Sequence, residues 1–332
     1  MAIRVLWTHP FAPDRPGAQG FLDALSAGVR SLGVELELLH LGNLRSVVAL
    51  LRAQRVVQRV ATGFDVVHAQ YGSACAFATA GIEGRPKVLS LRGNDWSVHR
   101  ALGFHFLHTR LARALTRTAL ASYDAVLPVS LRMAEEVRSV APHARVEAIP
   151  TPVALNRFVP HPKAEVRAAL GFPGNDEKWV LFNAVRLDDP VKRYPLARRA
   201  FELASAKRPG LRLRVATEMP HAEIPALTAA CDAILVTSES EGWPNCVKEA
   251  LACNVPFVTT DVSDLRLIAD VEPTCRICPP DPERLAQALC EVLDAGPPPD
   301  LRRHVAGMSV EAICTRLVAV YESLVSAAGD AA

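Results

Sequence analysis

The strongest constraint on the fold is a rhythm. Short, almost wholly apolar runs alternate with longer stretches of helical periodicity, and the alternation stops and restarts once. In the first half IRVLWT (3–8), VELELLH (34–40), DVVHA (65–69), KVLSL (87–91) and DAVLPVS (124–130) read as strands, with VEAIP (146–150) as a further one. Amphipathic stretches at 20–32, 44–61, about 99–121 and 131–140 separate them. Strands regularly divided by helices predict βαβ units and a parallel sheet, and runs without polar alternation suit a sheet covered on both faces. Pro150, Pro152, Pro160 and Pro162 then crowd a stretch of little periodicity, which is linker chemistry. Beyond it the rhythm resumes, with strands at 179–185, 211–217, 232–238, 255–260 and 276–278 and helices starting near 194, 225, 245 and 282.

At 332 residues the chain exceeds the usual size of one hydrophobic core. The expected fold is therefore α/β, with two tandem Rossmann-like, doubly wound parallel-sheet domains at 1–157 and 158–308. A last helix at about 309–327, beyond the breaker Pro297, Pro298 and Pro299, is expected to pack back on the first domain. Two such domains would leave an interdomain cleft at the carboxyl ends of their strands, where open α/β sheets bind ligands. The usual phosphate-binding fingerprints do not fill it. The first strand runs into HPFAPDRPGAQG, which has Gly17 and Gly20 but no GxGxxG, and the chain has no GxxxxGK[ST].

Charge is shared unevenly. The first 150 residues hold 17 Lys and Arg against 11 Asp and Glu, whereas the remainder holds 20 against 24. Arg45, Arg52, Arg55 and Arg59 punctuate one apolar helix, and Arg110, Arg113 and Arg117 share one face of another. Basic amphipathic helices suit an anionic membrane surface or a phosphorylated acceptor, although solvated surface arginines would give the same composition. The acidic second half and the lack of aromatic platforms on basic strands speak against nucleic acid. No run reaches the roughly 18 uninterrupted apolar residues of a spanning helix, and MAIRVLW lacks the order of a signal peptide. The expected location is cytoplasmic, with peripheral contact at the inner face of the membrane. Of eight cysteines only Cys275 and Cys278 have a metal-like spacing, and no second pair completes a zinc site.

The segment most charged with chemistry is ESEGWPNCVKEALACNVPFVTTD, which follows the run DAILVTS. Glu241 stands at a strand-to-helix turn, and Glu249 lies eight residues on, a little over two helical turns, so that both are expected on one side. Gly242 lets a backbone approach a ligand closely, and Asn245 reads as an N-cap whose helix aims N–H groups at an anion. Carboxylates accept hydrogen bonds from sugar hydroxyls while N–H groups take phosphate charge. Upstream, Arg186, Lys192 and Arg193 follow the run WVLFNAV, where cations at a strand end can grip a diphosphate.

The string EGWPNCVKEALACNVP resembles the E-x7-E motif of family-4 glycosyltransferases, closest to the teichuronic acid biosynthesis type, over most of residues 178–295. That resemblance implies the GT-B fold and retaining, metal-independent transfer of a sugar from a UDP- or GDP-type nucleotide sugar. The acceptor would be a glycan or lipid-linked molecule in cell-surface polysaccharide synthesis. No cofactor is implied. Glu249 would hold the ribose hydroxyls and Glu241 the transferred sugar. Gly242, Trp243, Pro244 and Asn245 would line the sugar and pyrophosphate, and Arg186 and Lys192 would neutralise the leaving diphosphate. Arg193 and Glu218 join them on the donor side, Glu218 through a specificity loop at 218–221. In the first half PFAPDRPGAQGF (Gly17, Gly20), FDVVHAQYG (His68) and SLRGNDW (Arg92, Asp95) resemble the family's acceptor-side segments. Many members carry His where Arg92 stands. An arginine stays protonated, so it cannot be a general base, but it can clamp a carboxylate or phosphate. Two other readings remain: a GT-B-like sugar-nucleotide epimerase and a non-catalytic sugar-nucleotide-binding partner.

Overall fold

The computed structural model describes residues 2–11, 16–44, 46–97, 104–172, 176–296 and 300–330. The chain divides into two compact units, one formed by Met1–Pro152 with Val310–Ala332 and the other by Val153–Ser309.

The first unit runs β1 (Arg4–His9), α1 (Pro16–Ser31), β2 (Glu35–His40), α2 (Val47–Ala61), β3 (Val66–Ala69), α3 (Ser73–Ala80), β4 (Lys87–Leu91), α4 (Phe104–Ala119), β5 (Ala125–Pro128), α5 (Leu131–Val140) and β6 (Arg145–Val146). Its six strands are parallel, in the order β2-β1-β3-β4-β5-β6. Successive side chains of a strand point to opposite faces. Val5 and Trp7 accordingly join Leu22, Leu25 and Val29 of α1 in one core, whereas Leu6 and Val67 join Val57 and Ala61 of α2 in another. Both faces are thus covered, as the apolar runs require. The edge strand β2 alternates instead, with Glu35 and Glu37 exposed.

The second unit runs α6 (Lys163–Ala169), β7 (Lys178–Asn183), α7 (Tyr194–Lys207), β8 (Leu211–Ala216), α8 (Ile224–Ala230), β9 (Ala233–Val236), α9 (Asn245–Ala252), β10 (Phe257–Thr260), α10 (Leu265–Ala269), β11 (Arg276–Cys278) and α11 (Pro282–Asp294), then a 3-10 stretch at Leu301–Met308. The five strands are parallel in the order β11-β10-β9-β7-β8. Val180, Phe182, Leu235 and Val258 pack against alanines 197, 200 and 204 of α7 and Leu285, Leu289 and Val292 of α11. At the amino edge of this sheet Asp232 accepts from Arg167 (2.6 Å) and from the Trp179 amide (2.7 Å), which ties α6, β7 and β9 together.

The last helix, α12 (Val310–Asp330), belongs to the first unit. It buries Ile313, Leu317, Val320 and Tyr321 beside Leu22, Leu25 and Val29 of α1. The approach is close. A Cβ added at Gly28 would stand 2.5 Å from Cys314 Sγ, so this crossing admits only glycine without a shift. The segment Leu301–Gly329 is long and apolar enough to cross a membrane by length and composition. About 33% of its apolar 18-residue window is buried, on the side that carries those four residues, so the helix packs along one face.

Several bounds differ from the sequence reading. The division falls at 152/153, because Arg302 donates to the carbonyls of Leu155 (2.6 Å), Phe158 (2.6 Å) and Ala252 (2.7 Å) and so fastens 155–158 to the second unit. The strand expected at 146–150 shrinks to Arg145–Val146. Three short helices, α3, α6 and α10, have no counterpart in the periodicity. In α3 the sequence SACAFATA is small and apolar on every side, so a buried helix leaves no polar stripe to detect.

Candidate active site

In the second unit β7 lies between β8 and β9, so the crossovers leaving β7 and β9 diverge at one edge. That is the topological switch point, where the loops after two neighbouring strands leave a gap for a ligand. Residues 184–193 follow β7 and residues 237–244 follow β9. Lys192 Nζ reaches Glu241 Oε1 at 2.5 Å, and Ser238 Oγ donates to the same oxygen at 2.7 Å. The backbone is stitched as well: Thr237 Oγ1 donates to the Lys192 carbonyl (2.8 Å) and the Glu239 amide to the Val191 carbonyl (2.8 Å). Burial works against the Lys192 ammonium, but the Glu241 carboxylate beside it prevails and holds its pKa above the ordinary lysine value. Glu249, in α9, is largely buried and has His221 Nε2 3.8 Å from Oε1. Between these groups sits Cys246. Burial pushes its thiol up to about 12, and Lys192, Glu241 and Glu249 all act on it electrostatically. One carboxylate and one ammonium therefore pair at the switch point, and Glu249 acts on the same neighbouring thiol.

The other residues expected on the donor side are placed variously. Arg186 is exposed and forks onto Asp188 through Nε (2.9 Å) and Nη2 (2.5 Å). Arg193, expected to contact donor, instead stands in left-handed conformation at the start of α7 and donates to the carbonyls of Thr237 and Ser238, both at 2.7 Å. Its fork holds the β9 loop. Asn245 is not the N-cap: Pro244 occupies that position, with its ring fixing φ at −66°, and Asn245 is the first helical residue. Only the second half of the interval from Glu241 to Glu249 is therefore helical. Gly242 and Trp243 are buried, and the Gly242 carbonyl accepts from Ser263 Oγ at 2.6 Å. Glu218 is exposed, at φ 51° in the loop after β8. Ser238, Cys246 and Ser263 were invisible as site residues in sequence; only the proximity of Ser238 and Cys246 to Glu241 hinted at them.

In the first unit the switch point lies between β1 and β3. His68, within β3, is fully buried. Its hydrogen bonds fix their own direction. Arg92 Nη2 can only donate, so Gln70 Oε1 accepts from it and the Gln70 amide nitrogen donates to His68 Nδ1, which makes Nδ1 an acceptor. Tyr321 Oη, accepting from Trp7 Nε1 (2.9 Å), therefore gives its hydrogen to Nδ1 (2.6 Å). The imidazole hydrogen then lies on Nε2, directed at Ser90 Oγ (2.9 Å). The Gln70 amide nitrogen lies 3.0 Å from the same Nδ1, and Gln70 Oε1 lies 2.6 Å from Arg92 Nη2. Burial, with the Arg92 charge adding to it, holds His68 well below its ordinary pKa. His68 is therefore a neutral internal strut that does not reach the surface.

Asp95 is fully buried too, and burial raises its carboxyl against the pull of its amide bonds. Its oxygens accept from the amides of Gly72 (2.8 Å), Gly93 (2.8 Å) and Arg92 (3.0 Å), which joins the loops after β3 and β4. Gly17 and Gly20 lie in the first turns of α1, not in a loop, because α1 begins at Pro16; a Cβ at Gly20 would meet nothing within 4 Å. Residues 12–15 of that segment lie outside the described residues, as do Arg45 and the stretch 98–103. Trp7, Gln70, Ser90 and Tyr321 are the members of this network that sequence reasoning missed. Among the described residues no group of three or more His, Cys, Asp and Glu gathers as for a metal ion, and the eight cysteines are free.

Residues 4–157 match the model of glycosyltransferase family 4, and residues 192–295 match that of glycosyl transferases group 1. TuaC of Bacillus subtilis, a glycosyltransferase by name and assigned to teichuronic acid biosynthesis, is 24% identical over 241 residues. That match takes in 68% of this chain and 60% of the relative, so the chain spans about 60% of that relative's length. The sucrose-phosphate synthase structure from Thermosynechococcus elongatus superposes with a TM-score of 0.79 at 17% identity, over 98% of this chain and 100% of the other. The HepE structure of Anabaena, in complex with UDP and glucose, does so at 0.67 and 15%, over 97% and 100%. The fold is GT-B. Both halves of the chain carry glycosyltransferase family domains and resemble family 4.

Proposed function

Taking the two glycosyltransferase domains as the premise, we propose that this chain transfers a sugar from a nucleoside diphosphate sugar to a glycan or lipid-linked acceptor, with retention and without a metal ion. The observation that carries the reading is the pairing of Lys192 with Glu241 at the switch point of the second unit, with Glu249 acting on the same neighbouring thiol. A leaving diphosphate gains charge in the transition state, and fixed cations offset it without a divalent ion. Lys192 and Arg186 are those cations. Both are already paired with carboxylates, Glu241 and Asp188, and each keeps further N–H donors for the donor phosphate. Glu241 accepts from sugar hydroxyls, and Glu249 accepts from the ribose. HepE was solved with UDP and glucose, which supports a UDP-type donor here. TuaC's assignment supports an acceptor destined for the cell surface.

The setting is the cytoplasmic face of a membrane. Val47, Val48, Leu51 and Val56 of α2 are all at least 45% exposed, Arg52, Arg55 and Arg59 share that face, and the helix has no acidic residue. Such a face fits an anionic bilayer, where lipid-linked acceptors reside.

A melting-temperature panel of UDP-, GDP- and dTDP-sugars tests the donor, since a ligand that binds only folded protein must raise its stability, by about 2.7 kcal/mol at a hundred times Kd. Lys192→Ala is expected to lower transfer by about 10²-fold, the usual cost of losing one preorganised charge. Unshifted melting with every nucleotide sugar would sink the reading. Turnover of donor to an epimer without acceptor would replace it with epimerisation. Activity abolished by a chelator and restored by a divalent ion would overturn metal independence.

A further inference from the structure

Arg92 is a cation without an acid. It follows β4 at the carboxyl edge of the first sheet, next to Gly93, whose φ of 135° makes the turn. Its position is set from both sides of the chain. Its own amide is held by Asp95, its Nε donates to the Gln70 carbonyl (3.3 Å), and its Nη2 donates to Gln70 Oε1 (2.6 Å). The guanidinium lies over the Phe21 ring, 5.0 Å from the centroid. Each of these guanidinium contacts is neutral. The nearest carboxylate, Asp95, spends its oxygens on backbone amides, and Arg92 forms no ion pair among the described residues. Burial lowers the guanidinium pKa to about 10, against the pull of Asp95.

Burying a charge is costly unless something of opposite sign comes to it. The strut of Trp7, Tyr321, His68 and Gln70 keeps the side chain from swinging toward water or toward Asp95. Arginine has five N–H donors in a planar fork, and only two bonds from this one are made, which leaves Nη1 without an acceptor among the described residues. The residue as a whole is only partly buried, so it is not sealed from an incoming molecule. A rigid, partly desolvated fork with an open edge matches a carboxylate or phosphate, which takes two parallel hydrogen bonds.

We propose that Arg92 is the oxyanion-reading residue of the first unit, and that the acceptor carries a carboxylate or a phosphate. Calling the ligand an acceptor rests on the glycosyltransferase reading; the oxyanion site itself does not. The test is calorimetric titration of the full chain with glucuronate, glucose 6-phosphate, glucose and UDP at matched ionic strength. Wild-type protein is expected to bind glucuronate or glucose 6-phosphate at least about tenfold more tightly than glucose. The two anions distinguish carboxylate from phosphate. Arg92→Gln and Arg92→Ala should lose that preference, and Arg92→Lys should keep part of it, because it retains charge but not the fork. UDP should bind all four proteins alike, which also reports that the variants are folded. The proposal is overturned if Arg92→Gln binds the anions as well as wild type does, or if wild type binds them no better than glucose. Loss of UDP binding in the Arg92 variants would assign the residue to the donor diphosphate and overturn the acceptor assignment. Failure of wild type to bind UDP, with the anion preference intact, would count against the nucleotide-sugar reading alone.

Discussion

His68 shows how much one proton position can decide. With Tyr321 and Gln70 both donating to Nδ1, a second ring proton would leave two donors facing a third. The folded protein therefore resists protonation that the unfolded chain accepts at its ordinary value of 6.5. The unfolded state binds more protons below that value, so stability is fully present above pH 6.5 and falls as pH drops beneath it. The slope from this residue approaches about 1.4 kcal/mol per pH unit. Urea midpoints of wild type and His68→Gln at pH 7.5, 6.5 and 5.5 check this. His9, also depressed by burial, acts in the same direction in both proteins, so the difference between them isolates His68. Equal losses would remove His68 as the source. Sequence could single out His68, Lys192 and Glu241 because each stands at or near a strand end. It could not reveal Tyr321, which meets His68 across 253 positions, nor that Arg193 would turn to backbone carbonyls while Lys192 turned to a carboxylate.

Among the elements α2 and α4 began as two similar basic helices and end differently. Arg113 of α4 lies over the Trp96 ring, 5.1 Å from its centroid, and is only partly exposed. In α2 the arginines stay outside together with four bulky apolar side chains. Each arginine near an anionic surface is worth about 1 kcal/mol. Changing Arg52, Arg55 and Arg59 to Gln should therefore weaken sedimentation with phosphatidylglycerol vesicles by about 10²-fold, while neutral vesicles bind neither protein strongly. Undiminished sedimentation of the triple variant would end the membrane reading. Periodicity made α2, α7 and α11 legible, because each has one wet and one dry face. It failed for α3, whose SACAFATA offers no contrast between a wet and a dry face; for α9 it gave the start at Asn245 and missed only the cap, which is Pro244.

At the scale of the whole molecule, the first unit is made of two pieces of chain, separated by the whole of the second. Ending the chain before Val310 would strip Ile313, Leu317, Val320 and Tyr321 from the core around Trp7. Each fully buried side chain of this kind contributes about 1.5–3 kcal/mol, against a net stability of about 5–15 kcal/mol. The truncated protein should keep a cooperative unfolding transition from the second unit and lose amide protection in β1 and β3. Native protection of those strands would show that α12 is dispensable. The same arrangement imposes an order on synthesis. When β1 leaves the ribosome, the residues that close over Trp7 are still untranslated, and the second unit is complete before they emerge. The part of the protein made first is thus the last to become finished, and until α12 emerges only α1 covers the Trp7 side of its sheet. A message cut short near its end yields an intact second unit attached to an open first one.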